Sequence, residues 1–424
     1  MAISKWTKSP LKLLCSRIGD GLHGTPTYDD NSDIYFINGN NLKNGEIVTT
    51  SATKKVTSSD YEINYIELND NSLLLSINGT IGEMAFYDNE KVMLGKSAAY
   101  LNFKTEINRF YYYYFQLKDV QNFFHNVATG STIKNLGLKS IQDFEVPTPD
   151  QREWKPIANM LSILDKKIEI NHKINADLEA MAKLIYDDWF VQFDFPDANG
   201  KPYKSSGGKM VYNEVLKREI PDNWQVKALG DLIIFERGIS YKSKEISEQG
   251  TPMINLNSFH LTGQYKNKGL KYFSGSYENN KSVNVGDLVI AITDVTRNTD
   301  IIGKAFTIPN LFDGDILISC DVAKVIPLPL VNVEFLLQLF NSEHYHRYIK
   351  HFASGTLVLH LNLDGVNWCK ISLPPIKLIK KYSDIRKQVD EKSSLITKEN
   401  EKLIQLRDWR LPMLMNGQVT VNEV

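Results

Sequence analysis

A chain of 424 residues that is 42% hydrophobic and 11% aromatic can build two or three cored domains, which excludes a largely disordered protein. Its formal net charge of -1 excludes a protein that grips nucleic acid by bulk electrostatics alone. It leaves room for a near-neutral module that reads bases while a partner neutralises phosphates. No window approaches the roughly 20 apolar residues of a membrane span, no signal-peptide run opens the chain, and Cys15, Cys320 and Cys369 lack CxxC spacing. A cytoplasmic protein with reduced structural thiols and no membrane partner is expected.

In chain order, the first 150 residues carry short apolar or alternating runs, IYFING, SLLLSING and AAYLNF, divided by Gly, Asn and Asp turns, which is the pattern of strands. NRFYYYYFQLKDVQNFF follows, and its length and aromatic clustering predict a helix packed on a sheet. Tyr111, Tyr112, Tyr113 and Tyr114 then belong to the core rather than to a base-stacking platform. A long helix is predicted over residues 156–191, with Pro156 at its first position. About 36 residues at a rise of about 1.5 Å span roughly 54 Å. Residues 194–220 are crowded with Pro, Gly, Ser and Lys and read as a linker loop. From residue 221 the pattern begins again, with PMINLN, GDLVIAIT and KAFTIP as strands and VEFLLQLFNSEHYHRYIKHF as helix. A second long helix is predicted over about residues 382–411.

The recurrence is an internal duplication. Gly130 and Gly355, Leu136 and Leu361, Pro149 and Pro374, Asp165 and Asp390, Asn175 and Asn400, and Leu178 and Leu403 are each 225 positions apart. Asn38 and Asn255 drift to a separation of 217, and Trp189 and Trp409 to 220, as loop insertions require. The expected helix-pair seam comprises Leu161, Leu164, Ile168, Asn175, Leu178 and Met181 against Val389, Ile396, Asn400, Leu403 and Leu406. Two equivalent helices from a tandem repeat are expected to pair antiparallel about a pseudo-two-fold axis, with one globule toward each end. The expected fold class is therefore α+β, with two globular α/β domains separated by two long antiparallel coiled-coil helices.

GSTIKNLGLKSIQDFEVPTP, followed by ILDKKIEINHKINADLEAMAKLIYDDWFVQFDFP, resembles the region joining the two halves of a type I restriction-modification specificity subunit. The closing KENEKLIQLRDWRLPMLMNGQV resembles that family's C-terminal region, and with the duplication the resemblance spans essentially the whole chain. It implies target recognition domains at 1–150 and 221–375, spacer helices at 151–193 and within 376–424, and a linker loop at 194–220. The implied function is noncatalytic: each domain reads half of a bipartite double-stranded DNA site, and the helices fix the gap. The implied partners are two methyltransferase subunits that use S-adenosylmethionine and two motor-nuclease subunits that use ATP and Mg, with no cofactor on this chain. The chain departs from the family at Trp154-Lys155-Pro156-Ile157-Ala158, which implies a helix that starts late.

Several motifs imitate chemistry. Pro149-Asp150 with Asp165-Lys166-Lys167 matches a metal-dependent nuclease pattern literally, but that chemistry gathers its carboxylates beside a strand, whereas Asp165 lies in a seam-bearing helix. Gly207-Gly208-Lys209-Met210 fails as a phosphate loop, because Tyr203 replaces the first glycine and Met210 the Ser or Thr. There is no Asn-Pro-Pro-aromatic tetrapeptide of the adenine-methyltransferase kind. His344, His346 and His351 lack a shared face and a completing ligand, so they read as helix surface rather than metal ligands.

Candidate DNA contacts lie in loops. They are His23 and Thr25; Thr129, Ser131, Thr132 and Lys134, with the repeat partners Ser354, Thr356 and His360; Lys54, Lys55 and Lys96; and Arg237, Tyr241, Lys242, Arg297 and Lys304. Hydroxyls and exposed amides suit phosphates, whereas Arg237 and Arg297 are the expected base readers because a guanidinium can bond guanine O6 and N7 together. The bland alternative for each is solvated surface. The rival function, favoured by the near-neutral charge, is a coiled-coil adaptor whose globules bind protein or carbohydrate.

Overall fold

The computed structural model describes residues 6–130, 134–266, 269–278, 281–296, 298–419 and 421. The chain divides into two compact units, Met1–Ile170 with Glu401–Val424 and Asn171–Asn400, so that each unit owns a globule and part of each long helix.

In the first unit, apolar runs become the strands Cys15–Asp20 (β1), Tyr35–Ile37 (β2), Ser72–Ser76 (β3), Met84–Phe86 (β4), Val92–Leu94 (β5) and Ala98–Phe103 (β6). The helices Asn108–Phe115 (α1) and Lys118–Val127 (α2) follow, and then the long helix Gln151–Tyr186 (α3) begins. The strands β1, β6, β3 and β4 form one antiparallel sheet in that order, and β2 runs parallel to β5. Leu73, Leu74 and Leu75 of β3 are fully buried because this strand is covered on both faces. Leu73 and Leu75 pack with the α1 aromatics, while Leu74 packs with Ile37, Leu42 and Leu94. All four tyrosines of α1 are buried, and two tether their hydroxyls: Tyr111 donates to the Pro147 carbonyl and Tyr113 to Asp165 Oδ2, at 2.8 and 2.7 Å.

The second unit repeats the plan with Ile233–Arg237 (β7), Thr251–Ile254 (β8), Leu288–Ala291 (β9), Thr293–Asp294 (β10), Ala305–Thr307 (β11), Ile316–Ile318 (β12) and Val322–Pro327 (β13). Next come the helices Val333–Asn341 (α4) and Glu343–Ile349 (α5), the strands Ala353–Ser354 (β14) and Leu359–Leu361 (β15), and the long helix Ile376–Met415 (α6). The sheet order β7, β13, β9, β11 and the parallel pair β8 with β12 reproduce the first unit. So does the alternation of β9: Leu288 and Ile290 face the helix-side core, and Val289 and Ala291 the opposite cluster. The predicted single helix over VEFLLQLFNSEHYHRYIKHF breaks at Ser342, whose hydroxyl caps α5 by accepting from Tyr345 N.

Both long helices exceed their predicted bounds. α3 starts at Gln151, so Pro156 lies in its second turn and not at the first position. The Asp150 carbonyl accepts from Glu153 N and Trp154 N, and its carboxylate from Arg152 N, so the helix starts ahead of the proline. Its end is a π-helical turn, Asp187–Val191, which carries Trp189 and Phe190 into the core. α6 instead continues regularly to Met415, and Trp409 remains 65% exposed although it is the repeat partner of Trp189. Residues 194–220 are more ordered than their composition suggests. They carry the hairpin Met210–Asn213 with Arg218–Pro221, and they bury Phe195 and Ile220.

Within each unit α3 and α6 pair antiparallel. In the first unit Arg407 Nη1 donates to Asp165 Oδ1 at 2.8 Å. In the second, Asn171 Nδ2 donates to Asn400 Oδ1 at 2.8 Å, Asn175 Nδ2 to Thr397 Oγ1 at 3.3 Å, and Arg386 Nη1 to Glu179 Oε1 at 2.9 Å. Leu161, Ile168, Val389, Ile396 and Asn400 are buried seam residues, and Leu164, Asn175, Leu178 and Leu403 are half-buried. Two expected seam residues point outward, Met181 at 45% and Leu406 at 37% exposed. The seam advances in steps of three and four, which selects Ala182 and Arg407 one position later.

Arg386 is 5% exposed between Asp390 and Glu179, with Nε and Nη2 bonded to Asp390 Oδ1 at 2.9 and 2.6 Å. Burial alone would lower its pKa, but the two carboxylates hold it above the ordinary arginine value. Arg386→Met leaves two partly exposed carboxylates without their cation and should lower stability by about 2–4 kcal/mol. Urea unfolding measures this, and an unchanged midpoint contradicts the anchoring role.

Candidate nucleic-acid interface

Strand register decides which loops meet. In the first unit Asp20 of β1 pairs with Ala99 and Ser76 of β3 pairs with Ala98, so β1 and β3 end where β6 begins. Loops 21–28, 77–82 and 95–97 therefore leave the same end of the sheet. Thr129 and Asn135 join them: Asn78 bridges Asn135, Thr129 and Asn135 exchange backbone bonds of 3.0 and 2.7 Å, and Leu136 N donates to the Ile77 carbonyl.

Gly21 clamps this cluster. A Cβ there would lie 2.0 Å from the Leu94 carbonyl oxygen. The close approach lets Leu22 N donate to Leu94 O at 2.8 Å and Lys96 N to Leu22 O at 3.0 Å. The loop then presents His23, whose Nε2 lies 2.7 Å from Asp20 Oδ2, and Thr25; both are exposed, as is Lys96. Lys54 and Lys55 flank the loop, 5.6 and 5.4 Å over the rings of Tyr28 and Tyr35. Thr129 and Lys134 are exposed, and Lys134 Nζ reaches the His125 carbonyl at 3.3 Å. Ser131 and Thr132 lie outside the described residues.

The second unit builds the same cluster. Arg237 of β7 pairs with Ala323 and Ala291 of β9 with Val322, so loops 238–242, 292–303 and 319–321 leave one sheet end. Gly238 repeats Gly21: a Cβ would sit 2.2 Å from the Ile318 and Ser319 carbonyl oxygens, and Ile239 N donates to Ile318 O at 2.8 Å. Sequence reasoning selected His23 with Thr25 and Tyr241 with Lys242 separately, and this clamp makes them equivalent. Arg237 and Lys242 are exposed, and Tyr241 receives the Lys271 ammonium on its hydroxyl at 2.8 Å. A three-stranded sheet of β10, β15 and β14 pairs His360 with both Thr293 and Ser354. It sets exposed Ser354 and His360 beside Thr293, with exposed Thr356 in the turn between β14 and β15, as Asn135 stands beside Asn78. Gly130 and Gly355 have φ of 118° and 143°, backbone that side chains resist.

Two candidates fare differently. Arg297 lies outside the described residues. Lys304 is only 8% exposed and donates from Nζ to the Asn341 carbonyl at 3.3 Å, so it is corrected from a DNA-facing cation to a core residue. Burial lowers its pKa, with Lys183 nearby adding to the shift. Sequence reasoning missed Asn78, Asn135, Tyr28, Lys271 and Asp294; of these Asn78 and Asp294 carry a signal, a turn-forming residue directly after an apolar run.

Each sheet end thus offers hydroxyls, loop amides and cations beside aromatic rings, the groups that contact phosphates and base edges. The imitation nuclease residues have other positions: Asp150 caps α3, and Asp165 is held between Tyr113 and Arg407. Among the described residues no group of three or more His, Cys, Asp or Glu could hold a metal ion. His344 and His346 have pKa values lowered chiefly by burial, with neighbouring cations adding to the shift. No helix of the described residues is long and apolar enough to cross a membrane.

The family model described as the type I restriction modification DNA specificity domain matches residues 4–180 and 221–405, one match per repeat. The type I restriction enzyme MjaIX specificity subunit of Methanocaldococcus jannaschii is 25% identical over 334 residues, 75% of this chain and 70% of that protein. The HindI specificity subunit of Haemophilus influenzae is 23% identical over 352 residues, 69% of this chain and 72% of that protein. The crystal structure of a type I restriction-modification S subunit from M. genitalium superposes with a TM-score of 0.59 at 17% identity, covering 100% of this chain and 98% of that one, and so shares the fold.

Gly21→Ala or Gly238→Ala forces a clash with a carbonyl and should lower stability by about 1–3 kcal/mol. A Cβ on Gly137 meets nothing within 4 Å, so Gly137→Ala should be neutral. Thermal unfolding of the three variants checks this, and equal midpoints contradict the clamp.

Proposed function

The chain belongs to the type I restriction-modification DNA specificity family, and on that premise we propose that it reads a bipartite double-stranded DNA site, one half through the sheet-end loops of each globule. The observation that carries this reading is the recurrence of one loop cluster, with its glycine clamp, at the same sheet end in both repeats. Arg237 and Arg297 are the assigned base readers. Lys134, the hydroxyls of Thr129, Ser131, Thr132, Ser354 and Thr356, and the remaining loop cations position phosphates.

The long helices act as spacer and docking frame. Besides its seam, α3 exposes apolar residues in each unit: Ile163 and Ile170 in the first, at 66% and 54% exposed, and Ile174, Met181 and Leu184 in the second, at 37%, 45% and 69%. The interval of seven in the first unit and those of seven and three in the second suit a partner helix. Two methyltransferase subunits using S-adenosylmethionine are the proposed occupants, with two motor-nuclease subunits supplying ATP- and Mg-dependent cleavage. The chain itself is noncatalytic, and the assembly works in the cytoplasm.

Co-expression with the cognate methyltransferase, followed by methylation-aware genome sequencing, tests the reading. A bipartite methylated motif is expected; a well-formed complex that methylates no motif would favour an adaptor for protein or carbohydrate. In DNA-binding titrations at several salt concentrations Lys134→Ala should weaken binding at all sequences alike and flatten the salt dependence, and a sequence-selective defect overturns its phosphate role. Inserting four residues after Asn175, about one helical turn, should change the gap and neither half-sequence. Altered half-sequences with an unchanged gap refute the spacer.

A further inference from the structure

The two sheet ends match loop for loop except at one place. Leu136 N donates to Ile77 O and Leu361 N to Ile292 O, while Gly82 N donates to Ser76 O and Gly303 N to Ala291 O, which fixes the equivalences on both sides. Asn78 bridges Asn135 as Thr293 pairs with His360. Between these fixed points the first unit has residues 79–81 and the second has residues 294–302, six more. Loops 21–25 and 238–242, 95–97 and 319–321, and 129–135 and 354–360 agree in length. The other notable length difference, between Phe86 and Val92 against Thr307 and Ile316, lies at the opposite end of the sheet.

The described part of the extra segment, residues 294–296 and 298–302, is built, not slack. Asp294 is fully buried and closes the loop on itself: Oδ1 accepts from Thr296 N at 2.6 Å, and Oδ2 from Ile301 N and Ile302 N at 2.8 and 2.9 Å. Inside this clip Asp300 N donates to Thr296 Oγ1 at 2.9 Å, and Thr299 takes a φ of 57°. The carboxylate thus spends its acceptor capacity on backbone amides from both ends of the loop, while Val295 is 61% exposed and Asn298 is exposed. Its counterpart by position in the first unit is Gly79, which has no side chain to close a loop. A fully buried carboxylate held, among the described residues, by backbone amides is an expensive way to shape a surface loop, and it is justified where the loop's conformation matters.

We propose that loop 294–302 is a specificity-determining element of the second half-site, touching base edges that the first globule has no equivalent means to reach, and that Asp294 is the positioning residue that sets it. The inference rests on the DNA-recognition reading above and adds an asymmetry to it: the half-site read by residues 221–375 is specified over more base pairs than its partner's loop cluster alone would specify.

The test uses the full chain assembled with its methyltransferase and reads methylation at cognate and single-mismatch sites. Replacing residues 294–302 by the Gly-Thr-Ile of positions 79–81 should remove at least one specified base from one half-site and leave the other half and the gap intact. Asp294→Ala should lower discrimination in that same half by about tenfold or more, the worth of one good base contact. Asp294→Asn retains one acceptor oxygen and should recover part of the loss. Asn298→Ala changes an exposed side chain without disturbing the clip, so it reports on the loop even if the replacement fails to fold; it should alter preference in that half alone. Unchanged motifs in the loop replacement and in Asn298→Ala overturn the proposal, as does equal relaxation of both halves. If the unaltered chain directs no bipartite motif, the DNA-recognition reading itself fails, which is a different result.

Discussion

The antiparallel register of each central sheet is the constraint from which the candidate interface follows. Pairing Asp20 with Ala99 and Ser76 with Ala98 obliges three connections to emerge together, and Arg237 with Ala323 and Ala291 with Val322 do the same in the second unit. A slip of one residue would turn every Leu of β3 to the wrong face, so the two apolar clusters on either side lock the register. The loops inherit their positions from core packing. They can therefore vary in sequence without disturbing the frame.

The helices obey a different economy. Their seam mixes Leu161, Ile168, Val389 and Ile396 with the amides of Asn171 and Asn400 and the guanidiniums of Arg386 and Arg407. Polar pairs of this kind contribute less than leucines would, but they are satisfied only in one register. The duplication is imperfect here: position 171 is Asn, but its repeat partner 396 is Ile. Asn400 therefore meets an amide while Asn175 relies on Thr397, and the buried Asn175 Oδ1 atom has no hydrogen-bond partner among the described residues. A helix pair satisfied in one register trades some stability for a defined pairing.

Much of this was legible in the chain. The 225-residue offset, the two long helices, the β pattern and the burial of the tyrosine quartet are consequences of local periodicity, which a sequence carries openly. The helix bounds were not, because Asp150 starts α3 ahead of Pro156 and a π turn ends it. Nor was the outward turn of Met181 and Leu406: apolar identity suggested the seam, but the three-four spacing decides it and chooses Ala182 and Arg407. At the interface, residue type alone ranked Lys304 with the loop cations, whereas its place just before β11 buries it. Asp294 escaped notice for the opposite reason, since a carboxylate suggests no DNA contact until its three amide bonds are seen.

The central claim is that DNA lies against one particular end of each sheet, and site-specific photo-crosslinking addresses it by proximity. Cross-linking residues would replace His23 and Ser240 at the clamped ends, and Asp88 and Asp313 at the opposite ends; all four positions are exposed. With the assembled complex on its methylated motif, positions 23 and 240 should each cross-link to a different half-site, and positions 88 and 313 to neither. Cross-links from 88 or 313, with none from 23 or 240, would contradict the account.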